Sequence, residues 1–284
     1  EGDARMRDAL LAQDCLSTVI ELDPNGKSCR RIGSMIGFVE VQPDNAALIA
    51  AMSRPEIRIV SLTVTEGGYF IDPATGQFDP TAPEIVADAA NPHRTAFGAI
   101  IAALKARRAA GIAAFTVMSC DNLPGNGHVT EAAVCGLARL SDPSLADWIK
   151  ANVAFPNGMV DRITPATGPR ERALAATFGL GDDPVPVTCE PFRQWVLEDN
   201  FPAGRPPLEQ VGVTFTPDVH AYEVMKIRIL NGGHAIIAYP GGLLDIEYVH
   251  EAMADPQIRA FLDTGIDGLF IDQPDIAVRL RAKP

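Results

Sequence analysis

The sequence predicts an α/β protein in which a partial parallel sheet is followed by a mainly helical C-terminal domain. Residues 57–65, IRIVSLTVT, form an apolar run rich in β-branched side chains, which is typical of a buried strand. Residues 96–109 are typical of a helix, and residues 113–119 form a second strand-like run directly after it. A strand, a helix and a strand in this order predict a βαβ unit with parallel strands.

The elements further along the chain place a domain boundary. Residues 130–140 favour another helix, and residues 185–197 alternate in a way that predicts another strand or a hairpin. Proline and glycine interrupt the pattern at residues 202–207, PAGRPP, and from Val219 onward the sequence becomes helical. We therefore expect a boundary near Gly212, which gives two domains at residues 1–212 and 213–284.

The charge and hydropathy of the chain exclude some classes of partner. The 284 residues carry a formal net charge of −12, with a pI near 4.8. A nucleic acid or an anionic membrane would require clustered Lys and Arg, so neither partner is expected. No window approaches the roughly 18 apolar residues of a membrane span, and the first residues, EGDARMRDALLAQD, contain no apolar signal core. We therefore expect a cytoplasmic protein.

The cysteines do not predict a metal site. They form no CxxC pair, and neither they nor the five histidines have zinc-ligand spacing. We expect reduced, mostly buried thiols and no bound metal. The five positions are Cys15, Cys29, Cys120, Cys135 and Cys189.

Two loops that follow predicted strands are candidate walls of a binding site. EGGYF begins after Thr65, and CDNLPGNGH begins after Ser119. In open α/β sheets, ligands bind beyond the carboxyl ends of the parallel strands. The alternative is that these segments are only tight turns that need residues with left-handed backbone angles.

Four polar residues share one face of the predicted helix over residues 218–238. With Lys226 at zero and about 100° per residue, Glu223 falls near 60°, His234 near 80° and Asn231 near 140°. Polar residues often group by chance on a solvated helix face. However, the neighbouring apolar side chains predict substantial burial, where a lysine and a glutamate need partners or a function. These neighbours are Ile227, Ile229, Leu230, Ile236 and Ile237.

Five sequence blocks resemble the mannitol dehydrogenase family of polyol-specific long-chain dehydrogenases. KIRILNGGH carries the family's Lys-x4-Asn-x2-His motif, with Glu223 three residues ahead of it. The other blocks, in the family's order, are SLTVTEGGYF, FTVMSCDNLPGNG, FPNGMVDRITP and EPFRQWVLEDNF. The likeness extends from near the N-terminus to about Leu262. It implies a partial Rossmann-type parallel sheet over residues 1–212 and a partial helical substrate domain over residues 213–284.

The resemblance also implies a reaction and the residues that perform it. Lys226 would be the general base that takes the alcohol proton while hydride leaves the same carbon for the nicotinamide of NAD or NADP. Asn231 and Asn122 would hold the developing oxyanion, His234 would position the substrate through a hydroxyl contact, and Glu223 would relay the proton to solvent. A lysine base replaces the zinc that polarises the alcohol in other dehydrogenases, so no metal is needed.

Two further carboxylates match family positions near the cofactor. Asp161 of VDRITP and Glu66 of VTEGGY would lie, with Asn122, near the nicotinamide and the substrate channel. The alternative is that both are structural carboxylates paired with Arg162 or with backbone amides.

Both ends of the chain depart from the family pattern. The first residues resemble family sequence that lies after the first βαβ unit, so we expect the glycine fingerprint and the NAD or NADP selector to be absent. The Gly-x-Gly at Gly125 and Gly127 lacks the third glycine and is not interpreted as the phosphate loop. After Leu262, TGIDGLFIDQPDIAVRLR resembles the last strand and helix of glycerophosphodiester phosphodiesterases. We interpret it as a chimeric or rearranged end.

The expected substrate is a polyol and ketose pair, D-mannitol and D-fructose. EGGY and LPGNGH resemble the mannitol branch more than the fructuronate reductases, which are expected to carry a lysine at the position of Gly67. Hexuronate reduction is the alternative enzymatic activity. A non-catalytic remnant that keeps the substrate residues but cannot hold a dinucleotide is the alternative from another class.

Overall fold

The computed structural model describes the chain over residues 4–23, 25–90, 94–181, 183–246 and 248–263. The chain divides into two compact units, residues 1–217 and residues 218–284, and each is described by itself. The first alternates strands and helices, and the described part of the second is helical. This confirms the predicted α/β class with a helical C-terminal part. The segment interpreted as a chimeric or rearranged end, residues 264–284, lies outside the described residues.

The helices and strands are numbered in chain order. The strands are β1 (Ser17–Asp23), β2 (Gly26–Ile32), β3 (Ile59–Leu62), β4 (Thr116–Ser119), β5 (Gly158–Asp161), β6 (Val187–Cys189), β7 (Gln194–Leu197) and β8 (Thr214–Phe215). The helices of the first unit are α1 (Ala4–Ala12), α2 (Ala46–Ser53), α3 (Pro83–Ala90), α4 (Ala96–Ala110), α5 (Asn126–Ser141), α6 (Pro143–Asn152) and α7 (Pro169–Thr177). Those of the second are α8 (Val219–Met225), α9 (Gly232–Leu243), α10 (Val249–Ala252) and α11 (Pro256–Asp263).

The predicted βαβ unit is confirmed. Strands β3 and β4 pair in parallel, with Ile59 opposite Thr116 and Leu62 opposite Ser119. Helix α4 lies in the crossover, where Thr95 accepts a hydrogen bond from the amide of Gly98 at its start. Gly111 ends this helix with a φ of 68°, a backbone conformation that glycine adopts without strain. The carboxyl ends of β3 and β4 therefore lie side by side.

A backbone hydrogen bond joins β4 to the segment that precedes a separate sheet of β5, β7 and β8. The Val117 amide donates to the carbonyl oxygen of Ala154 at 3.0 Å, which joins β4 to the segment that leads into β5. Strand β7 pairs antiparallel with β5 and parallel with β8. The predicted boundary at Gly212 assigns Thr214–Phe215 to the second domain. In the structure these residues pair with β7 and lie within the first unit.

The hairpin predicted as one option for residues 185–197 is wrong. This stretch contains two strands, but β6 pairs with β1 in one sheet, whereas β7 pairs with β5 in another. Sequence alternation reports which faces of a strand are buried, and it carries no information about the partner strand. Strands β1 and β2 form an antiparallel hairpin that our sequence analysis did not identify. Its signal is the pair Asn25 and Gly26, a frequent turn dipeptide.

The main hydrophobic core lies between the parallel strands and the helices around them. It contains the buried apolar side chains of α4, α5, α6, β3 and β4. Arg107 is buried beside it and donates to the carbonyl oxygens of Ala113 (2.7 Å), Met52 (3.0 Å) and Arg54 (2.6 Å). Burial lowers the pKa of this guanidinium. Because these acceptors lie on both segments, Arg107 connects the end of α2 to the loop before β4.

In the second unit, the predicted continuous helix is interrupted. Helix α8 ends at Met225, a π-helical turn spans Lys226–Asn231, and α9 begins at Gly232. The prediction of substantial burial is wrong for Ile227, which is 43% exposed. Ile237 is half-buried, and the side chains of the other three predicted apolar neighbours lie outside the described ones.

Two further features of the described residues are the hydropathy of the helices and the state of the cysteines. Within the ranges described, no helix is both long and apolar enough to cross a membrane. All five cysteines lie in those ranges and are free thiols. Cys15 and Cys189 are buried, whereas Cys29, Cys120 and Cys135 are half-buried.

Candidate active site

The loops that follow β3 and β4 are held together by one carboxylate. Asp121 lies two residues after β4, and its Oδ2 accepts hydrogen bonds from the Val64 amide at 3.0 Å and the Tyr69 hydroxyl at 2.7 Å. Its Oδ1 accepts from the Thr65 amide at 3.1 Å. The two loops that the sequence singled out as candidate site walls are therefore in direct contact.

The first of these loops has a constrained backbone. Thr65 has a φ of 63° and a ψ of 167°, which is rare for a β-branched residue. Glu66 follows it as the first residue of a tight 3-10 turn, Glu66–Tyr69, and its side chain is exposed. A Cβ at Gly68 would lie 2.9 Å from the side chain of Val64, so this turn requires glycine there.

The turn is anchored by a buried phenol. The Tyr69 side chain is fully buried, and its hydroxyl lies 2.6 Å from Ser119 Oγ as well as 2.7 Å from Asp121. Burial, followed by the hydrogen bond to Asp121, raises the pKa of Tyr69 well above its ordinary value. The phenol therefore stays neutral and donates to the carboxylate.

Asn122 lies on the second loop, four residues before the start of α5. Its side chain is exposed, as a contact with substrate or cofactor requires. The buried Asn126 fixes the backbone around it, since Nδ2 donates to the carbonyl oxygens of Asp121 (3.1 Å) and Gly158 (2.8 Å). Its Oδ1 accepts from the Gly158 amide at 2.9 Å. This side chain thereby connects the Asn122 loop to the start of β5.

The N-terminus of α5 is already occupied by a side chain. Asn157 Oδ1 accepts from the amides of Gly127 (2.9 Å) and His128 (3.3 Å), and the Glu198 carboxylate accepts from the Asn157 amide and from its Nδ2. These helical amides are the groups that would cradle a phosphate in a dinucleotide site. Their engagement supports the interpretation that the Gly-x-Gly turn is not the phosphate loop.

Asp161 lies on the strand that follows β4 in the chain. It is the last residue of β5, opposite Gln194, and is half-buried. The neighbouring Arg162 forms an ion pair with Glu21 at 2.7 Å and donates to the carbonyl oxygen of Glu190. Glu66, Asn122 and Asp161 therefore follow or end β3, β4 and β5 respectively.

The catalytic residues predicted in the second unit are arranged around the π-helical turn. Glu223 is buried on α8, and its Oε2 lies 3.4 Å from Nδ1 of the exposed His220. Lys226 is half-buried at the first position of the π-helical turn, and its amide bonds to the carbonyl oxygens of Tyr222 and Glu223. His234 is exposed on α9.

The π-helical turn changes the angular relation between these residues. Hydrogen bonds of the i to i+5 type widen the helix, so the spacing of about 100° per residue does not hold between Lys226 and Asn231. The predicted shared face rests on α-helical spacing, which holds from Glu223 to Lys226, and it stays a prediction for Asn231 and His234. Asn231 ends the turn, and its side chain lies outside the described ones.

Several side chains that organise the site were missed by the sequence analysis. Asp121 is one of them, and its role depends on loop residues 56 and 57 positions away. No local pattern identifies such a partner. Two asparagines were missed as well. The available signal for both was an asparagine in a buried setting, because a buried amide needs several hydrogen bonds. These two residues are Asn126 and Asn157.

Comparisons with known proteins cover both units. The model of the mannitol dehydrogenase Rossmann domain matches residues 2–210, and that of the mannitol dehydrogenase C-terminal domain matches residues 218–268. Mannitol 2-dehydrogenase of Cereibacter sphaeroides is 74% identical over 92% of this chain and 54% of its own length. Polyol:NADP oxidoreductase of Gluconobacter oxydans is 45% identical over 96% of this chain and 56% of its own length.

A solved structure with the same fold contains both a cofactor and a polyol. It is Pseudomonas fluorescens mannitol 2-dehydrogenase in a ternary complex with NAD and D-mannitol, which is 52% identical and superposes with a TM-score of 0.84. The similarity covers 92% of this chain and 55% of that one. The present chain therefore spans about half the length of the relatives that it matches.

Proposed function

This chain belongs to the mannitol dehydrogenase family, and we propose that it carries out the oxidation of D-mannitol to D-fructose with NAD or NADP as hydride acceptor. The observation that carries this proposal is the 74% identity with a mannitol 2-dehydrogenase over 92% of the chain. The structural relative with bound NAD and D-mannitol supports the same substrate class. No finding favours hexuronate reduction.

The residues at the carboxyl ends of the strands fit a nicotinamide. Glu66 and Asn122 are exposed, each on one of the two contacting loops, and Asp161 is the last residue of β5. Carboxylate and amide groups at this edge can bind a carboxamide and a ribose by hydrogen bonds. When bound, the nicotinamide accepts the hydride from the alcohol carbon. We propose these three residues as its contacts.

Lys226 is proposed as the general base. In the oxidation, the C–H bonding pair leaves with the hydride, and the O–H bonding pair becomes the second bond of the carbonyl group, which releases one proton. The neutral amine of Lys226 takes that proton. Glu223, one helical turn earlier and buried, passes it on toward solvent.

Three further residues are proposed to act on the substrate oxygen atoms. Asn122 and Asn231 would each donate an amide hydrogen to the oxygen that becomes more negative as its proton leaves, which stabilises the transition state. His234, exposed on α9, would orient the polyol through a neighbouring hydroxyl. No step in this scheme requires a metal ion.

The proposal is tested in a hybrid enzyme. This sequence replaces the matching part of Cereibacter sphaeroides mannitol 2-dehydrogenase, so that the remaining segments of a full-length family member are present. We expect NADH or NADPH to form with D-mannitol, and NAD and NADP are compared separately. Absence of polyol oxidation by a folded hybrid would contradict the proposal, as would faster turnover with a hexuronate pair than with the mannitol and fructose pair.

We also infer a cytoplasmic location. Five free cysteines favour a reducing compartment, in which disulfides are rarely kept. Fractionation of cells that express the protein checks this inference, and recovery from an oxidising compartment would contradict it.

A further inference from the structure

Asp121 makes an unusual connection between the two candidate site loops. Its carboxylate accepts three hydrogen bonds from the loop after β3, two from backbone amides and one from the Tyr69 hydroxyl. Its own amide donates to Ser119 Oγ at 3.2 Å, and its carbonyl oxygen accepts from Asn126. Every polar group of Asp121 is therefore engaged in fixing one loop against the other.

The bonds to Asp121 stabilise a backbone conformation that Thr65 would rarely adopt by itself. A β-branched residue with positive φ persists only where surrounding contacts hold it. Asp121 supplies such contacts directly, because it binds the amides of both Val64 and Thr65. Loss of the carboxylate would allow Thr65 to relax toward ordinary extended angles and would redirect the following residue.

On each loop, the residue directly after Thr65 or Asp121 is one that we propose to act in the reaction. Glu66 is bonded covalently to Thr65, and Asn122 is bonded covalently to Asp121. We propose that Asp121 is a positioning residue that holds Glu66 and Asn122 in fixed relation for mannitol oxidation. This inference rests on the proposed function, and Asp121 itself contacts neither substrate nor cofactor in this scheme.

A purely structural role must be distinguished from positioning, and the chain offers a matched control. Asp183, which is more buried than Asp121, also accepts three hydrogen bonds, from the amides of Thr18 (2.9 Å) and Val185 (2.9 Å) and from Gln13 Nε2 (3.1 Å). It connects the start of β1 to the segment before β6. An Asp183→Asn change therefore removes a comparable set of hydrogen bonds from a different sheet.

The decisive experiment is a double-mutant cycle in the hybrid enzyme. We expect Asp121→Asn to lower kcat for D-mannitol about 10- to 100-fold, because a small misplacement of a catalytic group has an effect of this size. In the Asn122→Ala background, the same change should lower kcat by clearly less than it does in the parent, because one of the two residues that Asp121 positions is already absent. Asp183→Asn should have equal effects in both backgrounds.

A second variant and a second readout keep the test independent of folding and of the proposed function. If Asp121→Asn fails to fold, Tyr69→Phe removes one donor to the carboxylate and should show the same coupling to Asn122→Ala. In the 284-residue chain, either variant should accelerate amide hydrogen exchange at Val64 and Thr65 more than at Val117 of β4.

The outcomes separate the two proposals. The positioning role would be overturned if the parent hybrid is active and the losses of kcat from Asp121→Asn and Asn122→Ala multiply independently, as in the Asp183 control. Unchanged exchange at Val64 and Thr65 would also overturn it. A folded parent hybrid without mannitol oxidation would instead contradict the proposed function.

Discussion

A methyl group at position 127 would test the close packing beneath the Asn122 loop. Gly127 is the second residue of α5, and a Cβ there would contact the carbonyl oxygen of Phe155 and would lie 2.7 Å from the amide nitrogen of Asn157. Both neighbours are backbone atoms, so they cannot rotate away as a flexible side chain would. A backbone displacement that relieved this close approach would lengthen the hydrogen bond from the Gly127 amide to Asn157 Oδ1, now 2.9 Å.

The size of the effect follows from three contributions. Overpacking a close-packed site costs about 1–3 kcal/mol, and loss of a helix cap costs about 1 kcal/mol. The greater helix propensity of alanine offsets about 1 kcal/mol of this. We therefore expect Gly127→Ala to lower the free energy of unfolding of the first unit by about 2 kcal/mol.

Urea unfolding followed by tryptophan fluorescence provides the assay. The only two tryptophans of the chain, Trp148 and Trp195, both lie in the first unit, so the signal reports on that unit alone. Gly37→Ala is the control, because a Cβ there meets no atom within 4 Å. We expect the control to stay within about 0.5 kcal/mol of the parent. Equal unfolding midpoints for the two variants would refute the close approach at Gly127.

Four other results are expected. Lys226→Ala in the hybrid enzyme should lower kcat for mannitol by several orders of magnitude, with partial recovery on adding a primary amine; near-parental turnover would exclude Lys226 as the base. EDTA should leave turnover unchanged, because Lys226 rather than a metal acts on the alcohol, and inhibition would contradict this. The 284-residue chain should bind NAD weakly in calorimetry, since Asn157 occupies the α5 amides; submicromolar binding would reveal another phosphate site. Bonds from Arg162 in particular lower the pKa of Glu21 below its ordinary 4.5. The ionised Glu21 carboxylate therefore stabilises the folded state above pH 4.5, and this stabilisation is lost as the pH falls through the lowered pKa. Glu21→Gln should therefore reduce the free energy of unfolding at pH 7, this reduction should shrink as the pH falls below 4.5, and a reduction that does not change with pH would contradict the pairing.

The strand, helix and strand around α4 could be predicted from the sequence because their signals are local. A β-branched run predicts a buried strand wherever it packs, and Thr95 and Gly111 mark the ends of the helix within a few residues. The motif at Lys226 could also be identified from the sequence, because its spacing resembles that of the family motif. Its geometry could not be, because the π-helical turn at Lys226–Asn231 has no distinct periodicity in the sequence.

The pairing of distant segments was decided only by the tertiary structure. Residues 187–189 and 194–197 are close in sequence, but they enter different sheets, since each strand edge pairs with whichever backbone folding brings beside it. Asp121 shows the same principle at the candidate site. Its hydrogen-bond donors lie more than 50 positions earlier, and nothing in the neighbouring residues specifies them. Hydrophobic periodicity sets the conformation of each segment, whereas the partners of a half-buried carboxylate such as that of Asp121 are fixed only when the packed strands bring its donors within hydrogen-bonding distance.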